Sequence, residues 1–203
     1  MNTIVFGGSF DPLHDGHLAV ADAVQKNFKV DEFLWLPSWH AVHKLDVRPA
    51  DAEFRARCIE QVLIGRNPTE SLCRIEIDAR RSCFSVDTLS KLAADKPRRQ
   101  LYFLLGGDSL SHLNTWHDLP RLFSSCEFLL MPRPQWGHAQ LEDYRNQLPQ
   151  PLKETFRAQF IDMPVVDLSS SSIRKQLAAK NMPQGLPPQV QQLILDEKVY
   201  GVC

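Results

Sequence analysis

The sequence predicts an α/β fold in which an open parallel sheet carries helices on both faces, and three observations lead there. Short apolar runs at 3–6, 32–36, 101–105 and 127–131 have the composition of strands buried on both faces. Between them, apolar residues recur at helical spacing over 18–28, 51–64 and 85–94. The first strand passes directly into the first helix through Gly7-Gly8-Ser9-Phe10-Asp11-Pro12-Leu13-His14-Asp15-Gly16-His17, a strand–turn–helix junction of the kind where backbone N–H groups gather around an anion.

The elements follow in order. Leu18, Ala21, Val24 and Phe28 form one stripe of the first helix, with Asp22, Gln25 and Lys26 outward. The run at 32–36 ends at Pro37 and completes a β-α-β unit; the aperiodic stretch 37–49 is then a loop at the carboxyl end of the second strand, where open α/β sheets line their ligand crevice. A helix over 51–64 stops at Gly65, and of Arg55 and Arg57 at most one can face the crevice. A strand is expected over 72–77, a helix over 85–94, the most clearly buried strand at 101–105, a short helix at 109–113 and another buried strand at 127–131. Pro149 and Pro151 break 135–159 into short helices or loop. A last strand at 160–163, a helix opened by the serines at 169–172 and an amphipathic helix within 187–200 close the reading.

With 203 residues, the chain suits one domain spanning 1–203. Its 23 Lys and Arg balance 24 Asp and Glu, which excludes a broad basic surface for nucleic acid. Arg80-Arg81 and Arg98-Arg99 then read as solvated loop charges, and the ligand should be small. Five cysteines, an odd number without C-x-x-C spacing, fit reduced and mostly buried thiols in the cytoplasm. No leader-like segment precedes the first strand, and no apolar run approaches the roughly 18 residues that a membrane span requires. A homo-oligomer is compatible with all of this.

The chemistry concentrates in the first turn. Gly7 and Gly8 lack Cβ atoms where the strand ends, so a bulky anion can approach the backbone. His14 and His17, three residues apart at a helix start, can converge on one object beside the positive end of the helix dipole. Two imidazoles and several amides make a polyphosphate cradle, able to stabilise charge that builds during phosphoryl-group attack.

The stretch from Gly7 to His17 resembles the H-x-G-H signature of the nucleotidylyltransferase superfamily, and its full form resembles the bacterial nicotinate-mononucleotide adenylyltransferases. The resemblance implies a Rossmann-like nucleotidylyltransferase fold. It implies an adenylyl transfer from ATP to nicotinate mononucleotide, a step of NAD biosynthesis, with Mg²⁺ arriving on the triphosphate and no dedicated protein metal site. It places ATP against Gly7, Gly8, Ser9, Phe10, His14, His17, Gly106, Asp108, Ser170, Ser171 and Arg174, and makes His14, His17, Lys44 and Arg174 catalytic. Four further stretches carry it. Ala41-Val42-His43-Lys44 keeps the His-Lys of the family's P-P-H-K and lacks the prolines, and would put Lys44 on phosphate; His40 beside it reads as a bystander. Ser85, preceded by Phe84 where the family has Tyr, falls at the contact with the nicotinate end, while as residue chemistry it is equally a helix N-cap. Gly106-Gly107-Asp108-Ser109-Leu110 matches G-x-D-x-L, where Asp108 would accept from ribose hydroxyls or cap a helix; Trp116 follows at the spacing of the residue that stacks on the nicotinate ring, and Arg133 matches an Arg near the mononucleotide. Leu168-Ser169-Ser170-Ser171-Ser172-Ile173-Arg174 resembles I-S-S-T-x-I-R, whose Arg forks onto phosphate.

The H-x-G-H turn is shared by relatives that use nicotinamide mononucleotide, phosphopantetheine or a CTP-dependent substrate, so the Trp116, Arg133 and Ser85 stretches select the pyridine nucleotide. A nucleotide-binding protein of the same fold without catalysis is the reading from another class.

Overall fold

Six strands are hydrogen-bonded in one parallel sheet: β1 (Asn2–Gly8), β2 (Glu32–Pro37), β3 (Glu70–Leu72), β4 (Gln100–Gly106), β5 (Glu127–Met131) and β6 (Ala158–Phe160). They stand in the order β3-β2-β1-β4-β5-β6 in the computed structural model, which describes residues 1–40, 49–96 and 98–202. The chain therefore reverses its direction of winding between β1 and β4, which makes a crevice at the carboxyl ends of those two strands. β1 is in register with both neighbours, Phe6 lying beside Trp35 on one side and Leu104 on the other.

Strict alternation along the central strands divides their apolar side chains between two cores. Ile4, Phe6, Phe33, Trp35, Leu104 and Leu129 enter one; Val5, Leu34, Leu36, Phe103, Phe128 and Leu130 enter the other. The first core is covered by α1 (Asp15–Asn27), α2 (Ala52–Leu63), α8 (Ser170–Ala178) and α9 (Pro188–Asp196). The second is covered by α4 (Ser85–Asp95), α5 (Leu119–Ser125), α6 (His138–Gln147) and α7 (Gln150–Thr155). Asp51 caps α2 by accepting from the backbone N–H groups of Glu53 and Phe54 at 3.0 and 3.1 Å.

Several sequence expectations are corrected. The strand expected over 72–77 ends at Leu72, because β2 pairs with it only through Trp35; the chain then turns into the short helix α3 (Ile75–Ala79). The helix expected at 109–113 is a pair of 3-10 turns, Gly107–Ser111 and Leu113–Thr115. Arg99 is no solvated charge: its side chain is buried, with one guanidinium nitrogen donating to the Leu92 carbonyl at 2.9 Å and another to Glu32 at 2.8 Å. Ser85 does not cap its helix, since Phe84 occupies the N-cap position and Ser85 is the first helical residue. Leu18 and Phe28 are only partly buried against the core, and Val20 joins Ala21 and Val24 inside instead.

Candidate functional site

The crevice above β1 and β4 holds two adjoining lobes. The larger, about 600 Å³, is lined by His14, His17, Asp108, Arg133, the serines at 169–171 and Arg174. The smaller, about 250 Å³, is lined by Glu76, Phe84, Ser85, Phe103, Trp116 and His117. Gly7, Gly8, Ser9, His40, Leu105 and Ser109 belong to both, so the end of β1 is the rim between them. Close approach favours glycine at Gly7, where a Cβ would sit 2.7 Å from the Phe103 ring, while a Cβ on Gly106 would displace the Asp108 carboxylate.

In the histidine lobe the two imidazoles stack with centroids 3.7 Å apart and planes 30° from parallel. The backbone N–H of His14 donates to His17 Nδ1 at 3.2 Å, which assigns the proton of the neutral His17 ring to Nε2. His14 Nδ1 is buried without a hydrogen-bond partner. Burial, reinforced by the nearby charge of Arg133, lowers the His14 pKa to about 4. Burial also holds His17 well below its ordinary value, with the His14 and Arg133 charges adding to it. Near neutral pH both rings are therefore uncharged and act as hydrogen-bond donors or acceptors rather than as cations. Phe10 supports them from below. Its ring meets His17 edge-on at 5.0 Å and Phe6 at 5.3 Å, packing that holds its backbone at φ 47, a conformation few residues with a Cβ adopt.

The turn 9–12 is fixed by charge as well as by packing. Arg55, fully buried, donates to the carbonyls of Ser9 at 2.6 Å, Trp39 at 2.9 Å and Ala50 at 3.0 Å, tying the first turn to both ends of the segment that follows β2. Arg174 donates to the Asp11 carbonyl at 2.6 Å and lies 3.5 Å from its carboxylate, while Ser170 Oγ donates to the Pro12 carbonyl at 3.0 Å. The serine-rich helix start and the first turn thus face each other across one lobe, as the motifs require. Ser169 caps α8 by accepting from the Ser172 N–H at 3.2 Å, leaving Ser170 and Ser171 on the lobe wall.

The second lobe is built of flat apolar groups. Phe84 is exposed and stacks on His117 with centroids 4.3 Å apart; Trp116 meets Phe103 edge-on at 6.2 Å. Helix α4 starts here without a side-chain cap, so its start is open to a ligand. Glu76 is the one acidic side chain among the described residues lining this lobe. It is buried, burial raises its pKa, and the Thr88 hydroxyl donates to it at 2.9 Å.

The cytidylyltransferase-like family model matches residues 5–176. A protein of Moorella thermoacetica carrying the name "Probable nicotinate-nucleotide adenylyltransferase" is 32% identical over 198 residues, 97% of this chain and 90% of its own length. One of the same name from Solibacter usitatus is 35% identical over 203 residues, 99% of this chain and 100% of its own. The chain belongs to the nicotinate-nucleotide adenylyltransferase family, within the cytidylyltransferase-like proteins. The structure of the Plasmodium falciparum nicotinic acid mononucleotide adenylyltransferase complexed with NaAD shares the fold of this family member. The two match with a TM-score of 0.77 at 18% identity, over 100% of this chain and 98% of that one.

For this adenylyltransferase-family chain, most residues singled out from sequence converge on the two lobes. Lys44, with the rest of 41–48, lies outside the described residues. Arg133, expected near the mononucleotide, lines the histidine lobe 3.8 Å from Asp108, whereas Phe84, Ser85 and Trp116 line the other lobe. Asp108 caps no helix; it lies inside a 3-10 turn whose N-cap is Gly106. His40, read from sequence as a bystander, lines both lobes. Arg55 was legible only as one of two arginines, since its partners are carbonyls scattered over three segments, and Glu76 was hidden inside an expected strand.

Proposed function

We propose that the protein transfers the adenylyl group of ATP to nicotinate mononucleotide, giving nicotinate adenine dinucleotide and pyrophosphate. The observation that carries this reading is the two-lobed crevice, in which a wall of neutral imidazoles, serines and arginine meets an aromatic lobe at one strand end. ATP occupies the histidine lobe, against Gly7, Gly8, Ser9, Gly106, Asp108, Ser170, Ser171 and Arg174, with Phe10 acting as support for His17. The mononucleotide ring lies on Trp116, near Phe84 and Ser85. Arg133 belongs with the triphosphate, given the lobe it lines.

An oxygen of the mononucleotide phosphate attacks the α-phosphorus of ATP in line. The bond to the bridging oxygen breaks, and pyrophosphate leaves with the electron pair. No covalent enzyme intermediate is needed, because the attacking group is already an anion; catalysis is positioning plus charge stabilisation. His17 Nε2–H and the His14 ring hydrogen-bond the phosphates at the α1 start, Arg174 neutralises them, and Lys44 is proposed to join them. Mg²⁺ enters as part of the MgATP substrate. The four described cysteines are all free, consistent with a cytoplasmic protein, and no described helix is long and apolar enough to cross a membrane.

Glu76 bears on the acid and amide forms of the acceptor. An ionised carboxylate there favours the amide, and burial, by raising the Glu76 pKa against the opposing Thr88 hydrogen bond, weakens that bias against nicotinate. Pyrophosphate release is measured with ATP and, in parallel, nicotinate mononucleotide, nicotinamide mononucleotide or phosphopantetheine. Fastest release with nicotinate mononucleotide is expected. Preference for another acceptor replaces the assignment, and ATP binding without release from any acceptor points to a non-catalytic nucleotide-binding protein.

A further inference from the structure

The 3-10 turn Val199–Gly201 packs beside α8, far along the chain from the first turn, yet it reaches the first turn's one buried carboxylate. Tyr200 donates its hydroxyl to Asp11 Oδ1 at 2.7 Å, and the same oxygen accepts the Ala50 N–H at 3.0 Å. Asp11 Oδ2 is left facing Arg174 at 3.5 Å, while that guanidinium is held more tightly by the Asp11 carbonyl at 2.6 Å and donates to Ser171 Oγ at 3.3 Å. The division of labour matters. With Oδ1 saturated by two donors, the carboxylate is fixed in rotation, and Arg174 keeps a share of its charge for the lobe instead of collapsing into a close ion pair.

Tyr200 itself is held at φ 62, where residues with a Cβ are rarely found, and its ring lies edge-on to Phe54 at 6.1 Å. This disfavoured backbone and the hydroxyl bonded to Asp11 belong to the same residue. We propose that Tyr200 is a positioning residue for ATP: by sharing Asp11 Oδ1 with the Ala50 N–H it fixes the carboxylate, and through it Arg174, against the triphosphate. This rests on the histidine lobe being the ATP site, and it goes beyond that reading by assigning part of the ATP affinity to a residue that lines neither lobe.

The test is Tyr200→Phe, which keeps the ring and removes the hydroxyl. ATP-analogue binding is followed by calorimetry, steady-state kinetics are run with each substrate varied, and thermal melting is recorded. The expected result is analogue affinity weakened, and ATP KM raised, by about tenfold, the scale of one lost hydrogen bond to a charged group. The mononucleotide KM should stay unchanged, and the effect should vanish when Tyr200→Phe is added to Asp11→Asn. Unchanged analogue binding overturns the inference, as does a parallel loss for both substrates together with a lowered melting temperature, which marks mere packing. The calorimetric arm uses no acceptor. A wild type that binds the analogue but never releases pyrophosphate would defeat the proposed reaction and leave this inference standing, whereas a wild type that binds no analogue defeats both.

Discussion

The histidine lobe and the Trp116 lobe share the strand end at 7–9 but are held in place by different means. Around the first, buried polar groups are cross-linked over long stretches of chain: Arg55 to three carbonyls, Asp11 to Ala50, Tyr200 and Arg174, Ser170 to Pro12. Around the second, the walls are ring faces, one of them exposed, with Glu76 and Thr88 as a buried polar pair. The difference follows from the groups each lobe is proposed to receive. A polyphosphate needs donors fixed in advance, since reorganising them during the reaction would forfeit their advantage. A planar ring needs only a flat partner, which tolerates small displacements. Rigidity is concentrated where charge is handled.

The largest effect that would break this contrast is on stability. Arg55→Met takes the buried guanidinium away from three part-buried carbonyls and removes a cation near Asp11, so about 3 kcal/mol of unfolding free energy should be lost in urea titration. A loss below 1 kcal/mol would mean that the cross-linking described here is incidental. Next, His17→Ala should keep the fold and forfeit on the order of 3 kcal/mol of transition-state stabilisation, as for loss of one oxyanion donor. Turnover close to wild type would remove His17 from the proposed chemistry.

The acid limb of stability comes third. His14 titrates at about 4 when folded against 6.5 in its ordinary state, so below the ordinary value the unfolded chain binds more protons. Its contribution is complete above about pH 6.5 and is lost as pH falls toward about 4, and His17 acts in the same direction. His14→Gln should therefore flatten the fall in the urea midpoint between neutral pH and pH 4.5; an unaltered slope would place the acid sensitivity elsewhere. The smallest effect belongs to the aromatic lobe. Trp116→Ala should raise the mononucleotide KM by about tenfold, leaving the ATP KM alone, and Trp116→Phe should restore most of it. A matching rise in ATP KM would dissolve the distinction between the lobes.

How far the sequence could be read follows the same division. β1, β2, β4 and β5 were legible because a strand buried on both faces is largely apolar, and the first turn and the α8 start because their glycines, histidines and serines each fall within one short stretch. The segment after Leu72 was not, since Cys73, Ile75 and Ile77 alternate with Arg74 and Glu76 as a strand would. A three-residue pairing with β2 and the burial of Ile77 decide the matter only in three dimensions. That Arg133 lines the histidine lobe was not legible, because a strand end can open toward either lobe and sequence carries no sign of which. Arg55, Asp11 and Tyr200 form a network whose members are 44 and 145 positions apart, beyond any local period, so nothing in the spacing announces it.

Because Gly7, Gly8 and Ser9 belong to the walls of both lobes, the attacking and departing groups would be aligned by main chain and not by the side chains that recognise them. Such an arrangement separates reaction geometry from molecular identity. With the acceptor in the aromatic compartment as proposed, that compartment would be open to refitting for a different acceptor while the strand end, common to both lobes, kept the trajectory of the transferred group.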